Sequence, residues 1–324
     1  GQLAFNPTDV TEVLLSADYS KDTPNGECRN LTKIDKQTLK GTPEQHAYLA
    51  QMIIDEGIDD PRTCGQSVVQ GSEKSVSGVS MRIEHDFDAL QLTSITAFRQ
   101  AEYDWVHELG GVDAPPGLLG VVDNEGEESD QLSQEIRLSN TTDNMHWVLG
   151  AYAIQENVDR FANVPITFSS GLLLDRSWLQ SAQNTSKAVF GQITFPLMDQ
   201  LNLTLGGRQT WDDKDMDQQY KSSPTTIVYD LKDLSDSWSA FTGRVTLDYM
   251  IDEDKMLYAT WSEGYKSGMF LSQNTSEAGA AGTLDPEYAT NIEVGARTEW
   301  LDNRVRLNVT YFDMEVSDLQ LFRL

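Results

Sequence analysis

The sequence predicts an all-β fold, an antiparallel β-barrel that spans a membrane, and three observations support this. Strand-like runs with apolar residues at every second position recur from about residue 9 to the last residue. Short polar turns alternate with much longer polar insertions between these runs. No run of about 18 apolar residues occurs, which argues against a transmembrane helix, whereas a tilted strand needs only about 9–11 residues to cross a bilayer.

Alternation within the runs gives each predicted strand one apolar and one polar face, because successive strand side chains point to opposite sides. Residues 201–205 and 305–312 show the pattern clearly, and the runs reach about 10–15 residues, against about 5–6 in a typical strand. Apolar residues in 90–92 and 95–97 do not share a phase, which predicts a β-bulge between them. Charged residues recur on the polar phase, and we expect them to form a network in a water-filled lumen. They are Glu135, Arg137, Arg208, Arg244, Asp248, Glu293, Arg297 and Arg306.

Two kinds of connection separate the strands. The short turns are placed at 6–9, 86–89, 141–144, 196–200, 251–254 and 301–304. The long insertions are placed at 21–72, 108–128, 159–175, 214–235 and 265–286. Short turns on one side and long loops on the other are typical of a meander in an outer membrane, with periplasmic turns and extracellular loops. About 11 strands follow from this division.

The first insertion, 21–72, contains both cysteines of the chain, Cys28 and Cys64. Two cysteines in one polar segment favour a disulfide within the loop, formed in an oxidising compartment, with two unpaired thiols as the alternative. Residues 36–56 carry an imperfect amphipathic helical pattern. We therefore predict one short helix in this extracellular loop.

The charge balance and the absence of known motifs exclude several functions. There are 24 basic and 51 acidic residues, a net charge of −27, whereas nucleic-acid binding needs clustered Lys and Arg. The acidic runs 123–130 and 212–217 are interpreted as solvated loops, with capture of a cation or cationic ligand as the alternative. The four histidines and two cysteines show no metal-ligand spacing. No Gly-x-Ser-x-Gly, P-loop or His-Glu-x-x-His motif occurs, so we expect no enzyme activity and no cofactor.

A series of segments resembles, in order and spacing, the barrel of TonB-dependent outer-membrane receptors, especially siderophore receptors. The resemblance extends from about residue 75 to the end of the chain. The segments are SQEIRL at 133–138, WVLGAY at 147–152, FGQIT at 190–194, LTLGGR at 203–208, LYATWSEGYKSG at 257–268, LDPEYA at 284–289, EVGAR at 293–297 and DNRVRLN at 302–308.

The resemblance implies a barrel of about 22 strands that is closed by an N-terminal plug domain. With about 11 strands and no plug, the whole chain, 1–324, is expected to be a partial barrel domain, with 21–72 as a loop insertion within it. The location implied is the outer membrane of a Gram-negative bacterium, in contact with its lipid. The partners implied are the TonB–ExbB–ExbD energy-coupling complex, through the plug, and a scarce small ligand, first of all a ferric siderophore.

Tyr265 and Lys266 are the candidate ligand contacts, since they are expected at the extracellular rim. The alternative for this pair is an aromatic residue and a lysine at the membrane interface. Two further functions stay open at this point. One is a porin-like or structural barrel that uses no energy, and the other is a secreted β-sandwich that binds a ligand.

Overall fold

The computed structural model describes residues 1–24, 26, 47, 51, 71–108, 120–140, 145–167 and 173–321. No helix in this part of the chain has the length and hydrophobicity that a membrane span requires. The strands are β1 (Gln2–Thr8), β2 (Thr11–Asp22), β3 (Gly71–Phe87), β4 (Leu90–Glu108), β5 (Gly120–Asn140), β6 (His146–Thr167), β7 (Leu173–Met198), β8 (Leu201–Ser223), β9 (Thr226–Asp252), β10 (Lys255–Lys266), β11 (Met269–Phe270), β12 (Thr283–Leu284), β13 (Glu287–Trp300) and β14 (Val305–Ser317). Helix α1 (Glu277–Ala280) lies between β11 and β12.

Twelve of the strands form one antiparallel sheet in chain order, except that β10 pairs directly with β13. Strands β11 and β12 form a separate two-stranded sheet within the connection between those two. The large sheet has one strand more than the approximate count from the sequence, because the seven-residue strand β1 precedes the first turn. A long single meander confirms the partial antiparallel barrel and does not fit a sandwich of two packed sheets.

The two faces of the sheet differ in chemistry, as the alternation predicts. One row of cross-strand partners on the outer face consists of Leu203, Leu247, Ala259, Val294 and Tyr311. Val294 and Tyr311 are 46% and 69% exposed, as expected of a surface that lipid covers. At the adjacent positions of these strands, whose side chains point to the inner face, there are threonines instead. The hydroxyls of Thr194 and Thr204 lie 2.7 Å apart, and those of Thr246 and Thr260 lie 3.0 Å apart.

Aromatic residues mark the membrane boundary at the short turns. Trp147 is the second residue of β6, Trp300 is the last residue of β13, and Tyr249 precedes the turn after β9. The ammonium of Lys255 lies 4.9 Å from the centre of the Trp300 ring. Such residues are typical of the interface between lipid and water, so strand residues far from the short turns extend beyond the membrane.

The extracellular insertions predicted after β8, β4 and β6 are wrong in their bounds. Residues 214–235 are mostly strand, because β8 and β9 continue to Ser223 and Thr226 around a turn at 224–225. Strand β5 begins at Gly120 and β6 continues to Thr167, well inside the other two expected loops. Outside the membrane, backbone hydrogen bonds hold the strands together without a continuous lipid-facing apolar row, so the sequence there resembles a loop.

The predicted bulge in β4 is wrong as well. The pairing of β4 with β3 is continuous from Gly71↔Val106 to Phe87↔Leu90, and its pairing with β5 is equally regular. Instead, the outer face carries a polar group here. The hydroxyl of Thr96 donates to Gln134 at 2.5 Å, and the Gln134 amide donates to Ser94 at 3.0 Å. These hydrogen bonds satisfy the polar atoms, so the strand keeps its register.

The first insertion is largely outside the described residues. Cys28 and Cys64, and therefore the predicted disulfide, are not among them. Of the predicted helix over 36–56, only Ala47 and Gln51 are described, and both are helical. The disulfide and the extent of the helix and of the insertion therefore stay as predictions.

Candidate ligand-binding site

The connection between β10 and β13 contacts the inner face of the sheet at its extracellular end. We call residues 271–282 of this connection the strap. Its turn of helix begins at Ser276, whose hydroxyl accepts a hydrogen bond from the Gly279 amide at 3.2 Å, as an N-cap serine does. Gly279 packs against the side chain of Asn274 with no room for a Cβ. The short side chains let the strap backbone lie close to the strands.

Three aromatic residues on neighbouring strands form the surface under the strap, and we call them the aromatic wall. They are Trp178 of β7, Tyr220 of β8 and Tyr229 of β9, which are direct cross-strand partners. The rings of Trp178 and Tyr220 stack at 4.9 Å, and those of Tyr220 and Tyr229 lie 5.8 Å apart. With Ala162 and Ala280 they form a buried apolar cluster, in which Ala280 is 0% exposed.

The side chains at the wall donate hydrogen bonds to backbone carbonyl oxygens of the strap. The indole Nε1 of Trp178 and the hydroxyl of Tyr229 both donate to the carbonyl of Asn274, at 2.9 and 2.8 Å. The amide of Gln218, which is 1% exposed, donates to the carbonyl of Ala280 at 2.5 Å. Burial, and secondarily Tyr220, raises the pKa of Tyr229 to about 12, so its hydroxyl remains a donor at physiological pH.

Acidic residues border the strap on the β5 side. Glu125 accepts hydrogen bonds from Gln273 of the strap at 2.7 Å and from Arg160 at 2.6 Å. Burial, and then the charge of Glu125, raises the pKa of Asp123 to about 6, while Arg160 opposes that shift.

Asp212, in the other acidic run, is only 9% exposed. The interpretation of both runs as solvated loops is therefore wrong at these positions. The described residues contain no group of three or more potential metal ligands.

Tyr265 and Lys266 lie at the extracellular end of β10, where they pair with Tyr288 and Glu287 of β13. The rings of Tyr265 and Tyr288 are 5.6 Å apart, and the Lys266 ammonium lies 3.8 Å from a Glu287 carboxylate oxygen. The Tyr265 hydroxyl is buried. Lys266 also lines a cavity of about 530 Å³ that the strap closes on one side. Lys266 thus lies beside the strap, whereas Tyr265 does not line this cavity.

Strand register places all eight predicted lumen charges on the inner face. They form separate groups rather than one network among the described residues. Arg137 lies 3.0 Å from Glu135. The guanidinium of Arg208 lies 5.7 Å from the ring centres of both Tyr152 and Phe190. The Nε of Arg244 donates to Thr246 at 3.3 Å, and Asp248 pairs across strands with Asn202 and Tyr258.

A second group surrounds Tyr258 of β10. Its hydroxyl donates to Glu293 at 2.6 Å and lies 2.9 Å from the Thr310 hydroxyl. The Arg297 guanidinium lies 5.4 Å from the centre of the same ring. Arg306 pairs instead with Glu299 at 2.5 Å, near the last short turn. Aromatic rings therefore separate several of the charges that were expected to meet directly.

Sequence reasoning missed the aromatic wall and Gln218. Tyr220 and Tyr229 lie in 214–235, which was interpreted as a loop, and Trp178 follows directly after the expected loop 159–175. The signal was present, since Trp178, Gln180 and Ala182 occupy every second position and so do Met216, Gln218 and Tyr220. An alternation of aromatic and amide residues on the inner phase would have identified the wall.

Comparison with known proteins is consistent with this architecture. A family model described as TonB dependent receptor-like β-barrel matches residues 31–323. The ferric yersiniabactin uptake receptor FyuA from Yersinia pestis matches 99% of the chain and 45% of its own, with a TM-score of 0.73 and 16% identity. The siderophore receptor PiuA from Acinetobacter baumannii matches 96% of the chain and 48% of its own, with a TM-score of 0.67 and 15% identity.

The closed form of the ferric-catecholate import receptor Fiu from E. coli K12 matches 97% of the chain and 50% of its own, with a TM-score of 0.70 and 12% identity. The chain therefore spans about half the length of these solved structures. At such low identities the likeness establishes the fold.

Proposed function

The chain belongs to the family of TonB-dependent receptor-like β-barrels, and from this premise we propose that the full-length protein imports a ferric siderophore. Barrels of this family lie in the outer membrane of Gram-negative bacteria, and that is the location of this chain. Import would use energy that the TonB–ExbB–ExbD complex delivers through a plug domain. The similar structures named as receptors for ferric yersiniabactin and ferric catecholates support the choice of ligand class.

The observation that carries the proposal is the inner face at the extracellular end of the sheet. There the aromatic wall offers flat apolar rings together with uncharged hydrogen-bond donors. A ligand-binding surface of this composition buries the apolar parts of a small molecule and orients it through a few polar contacts. Lys266, beside the same strap, and Tyr265, which precedes it in β10, are the proposed contacts at the rim.

The charges lower on the inner face have a different proposed role. Arg208 and Arg297 face the lumen near the membrane part of the strands, and we assign them to packing of the lumen and the plug rather than to ligand capture. An Arg208→Ala receptor should then bind ligand at the cell surface normally while its plug becomes easier to cleave with protease. Loss of surface binding with a fully protected plug would show that the assignment is wrong.

The function is tested by expressing the full-length receptor in an iron-starved Gram-negative strain that lacks its own siderophore receptors. Surface binding of radiolabelled ferric hydroxamate, ferric catecholate and ferric citrate complexes is then measured. We expect saturable binding of at least one complex, and loss of this binding in a strain that carries the empty vector. A receptor that binds none of them, yet admits small solutes in proportion to their concentration, would support the porin-like alternative.

A further inference from the structure

The strap and the aromatic wall match each other in a specific way. The indole of Trp178, the hydroxyl of Tyr229 and the amide of Gln218 are all uncharged donors. Each of them meets a carbonyl oxygen of the strap backbone, not a side chain. A surface that satisfies backbone carbonyls in this way does not depend on the identity of the strap side chains. The same donors would satisfy the carbonyl groups of any peptide-like molecule that reached them.

Few contacts of the strap would hold it permanently on the aromatic wall. Apart from Leu271, which is only partly buried, the strap has no large apolar side chain, and its sequence over 272–282 is SQNTSEAGAAG. Ala280 is its one fully buried residue, and residues 275–278 are exposed. Burial of apolar area is the dominant favourable contribution to such contacts, and a single alanine methyl supplies little of it. Hydrogen bonds must therefore supply most of the remaining free energy that holds the strap on the wall. They are exchanged for hydrogen bonds to water when the strap is released.

We propose that the aromatic wall is a binding surface for amide-bearing ligands and that the strap is its reversible intrachain occupant. A ligand that presents amide or hydroxamate carbonyls to Trp178, Tyr229 and Gln218 displaces the strap and takes over its hydrogen bonds. The strap thus competes with the ligand. The apparent affinity for the ligand equals the intrinsic affinity multiplied by the fraction of molecules in which the strap is released.

The chemistry of the wall favours this ligand class over a strongly anionic one. The donors of the wall itself carry no charge, and Arg160, on the β5 side of the strap, is already paired with Glu125 at 2.6 Å. Glu125 also accepts from Gln273 of the strap, so an amide N–H of a ligand would find an acceptor there once the strap leaves. Donors for carbonyls beside an acceptor for N–H groups are what a peptide-like chain requires.

The test uses the strap sequence itself as the probe, supplied as a separate fluorescein-labelled peptide of residues 270–284. Two variants of the full-length receptor in detergent are compared. Ala280→Glu places a large charged side chain at a fully buried position and should expel the strap. Ala278→Glu makes the same chemical change at an exposed position of the same helical turn and should leave the strap bound.

Peptide binding is measured by fluorescence anisotropy. We expect Ala280→Glu to bind the peptide at least about tenfold more tightly than the wild type or Ala278→Glu, because the intrachain strap no longer competes. Adding Trp178→Phe and Tyr229→Phe to Ala280→Glu removes the two donors to one carbonyl and keeps an aromatic ring at each position. This should weaken peptide binding by roughly 10–30-fold, from about fivefold for each hydrogen bond.

Equal binding by Ala280→Glu and Ala278→Glu would overturn the proposal, and so would binding that is insensitive to loss of the two donors. Heat-dependent gel mobility verifies that each barrel is folded. Gly279→Val, which crowds Asn274 and should also release the strap, replaces Ala280→Glu if that variant does not fold. The inference rests on the proposed function only in placing the wall on the path of the ligand. Because the peptide assay contains no iron complex, its failure is distinguishable from a failure of siderophore binding.

Discussion

Gly295 of β13 lies directly across from Tyr258 of β10, and replacing it with alanine should destabilise the barrel measurably. A Cβ built on Gly295 would lie 2.5 Å from Cε1 and 2.6 Å from Cζ of the tyrosine ring. The ring has little freedom to move, since its hydroxyl donates to Glu293 at 2.6 Å and lies 2.9 Å from the Thr310 hydroxyl. Alanine at 295 therefore forces either a strained ring or broken hydrogen bonds.

The magnitude follows from these two outcomes. Adding a methyl group to a packed position without space costs about 1–3 kcal/mol. The matched control is Gly206→Ala, on the same face, where the nearest atoms to an added Cβ are 3.7 Å away. That change should be neutral or stabilise by about 0.4–1 kcal/mol, because it restricts the unfolded chain without strain. The two variants should differ by about 1–4 kcal/mol.

The assay is equilibrium urea unfolding of the full-length receptor refolded into lipid vesicles, followed by tryptophan fluorescence. Tyr258→Ala is then combined with Gly295→Ala to remove the ring that the new methyl group meets. The double variant should recover most of the cost of the glycine change, a coupling of about 1–3 kcal/mol. Equal stability of Gly295→Ala and Gly206→Ala, or additive losses in the double variant, would refute the reasoning.

Three further predictions concern other parts of the barrel. Arg208→Ala removes the cation beside two aromatic rings and should lower the unfolding free energy by about 0.5–2 kcal/mol. The side chain of Arg306 is exposed, so Arg306→Ala should lower it by less than about 1 kcal/mol in the same assay. Gln134→Leu leaves the hydroxyl of Thr96 without its acceptor on the outer face and should lower the unfolding free energy by about 1–3 kcal/mol, and no change would contradict this. The folded pKa of Asp123 is about 6, against a usual 3.8, so the native state holds its proton more tightly than the unfolded chain does. The local free energy of unfolding near Asp123 should therefore fall as the pH rises from about 4 to about 6. Hydrogen exchange of residues 120–130, corrected for intrinsic rates, should show this loss of protection, and Asp123→Asn should abolish it.

The membrane part of the fold could be predicted from the sequence because lipid imposes a strict pattern. Most outer-facing residues of a spanning strand must be compatible with hydrocarbon, so Leu201, Leu203 and Leu205 occupy every second position of β8. The short turns follow from the same constraint, since the polar residues between the runs are few. The face of each charged residue was predictable for the same reason.

The extracellular part could not be predicted as well, because that constraint ends at the membrane surface. Hydrogen bonding between backbones sustains β8 and β9 to their turn at 224–225 without a continuous lipid-facing apolar row, so their sequence resembles a loop. The bulge expected in β4 failed for a related reason. Ser94 and Thr96 are polar on the outer face, and only the position of Gln134 on the next strand shows that they are satisfied.

The partners of the predicted lumen charges were also beyond the sequence. Alternation places Arg208 on the inner face but does not show that Tyr152 and Phe190 lie beside it instead of a carboxylate. The strap illustrates the same limit, because the contacts of Asn274 with Trp178 and Tyr229 join residues far apart in the chain. Contacts of this kind depend on the curvature of the whole sheet.

The most direct test of the central claim is the rate at which the full-length receptor imports a ferric siderophore. Import of a radiolabelled complex that the receptor binds is measured in matched strains with and without TonB, at the same level of receptor on the cell surface. We predict saturable accumulation in the strain with TonB and only surface binding in the strain without it. Equal accumulation in the two strains would contradict the account, because it would mean that the barrel admits its ligand without energy.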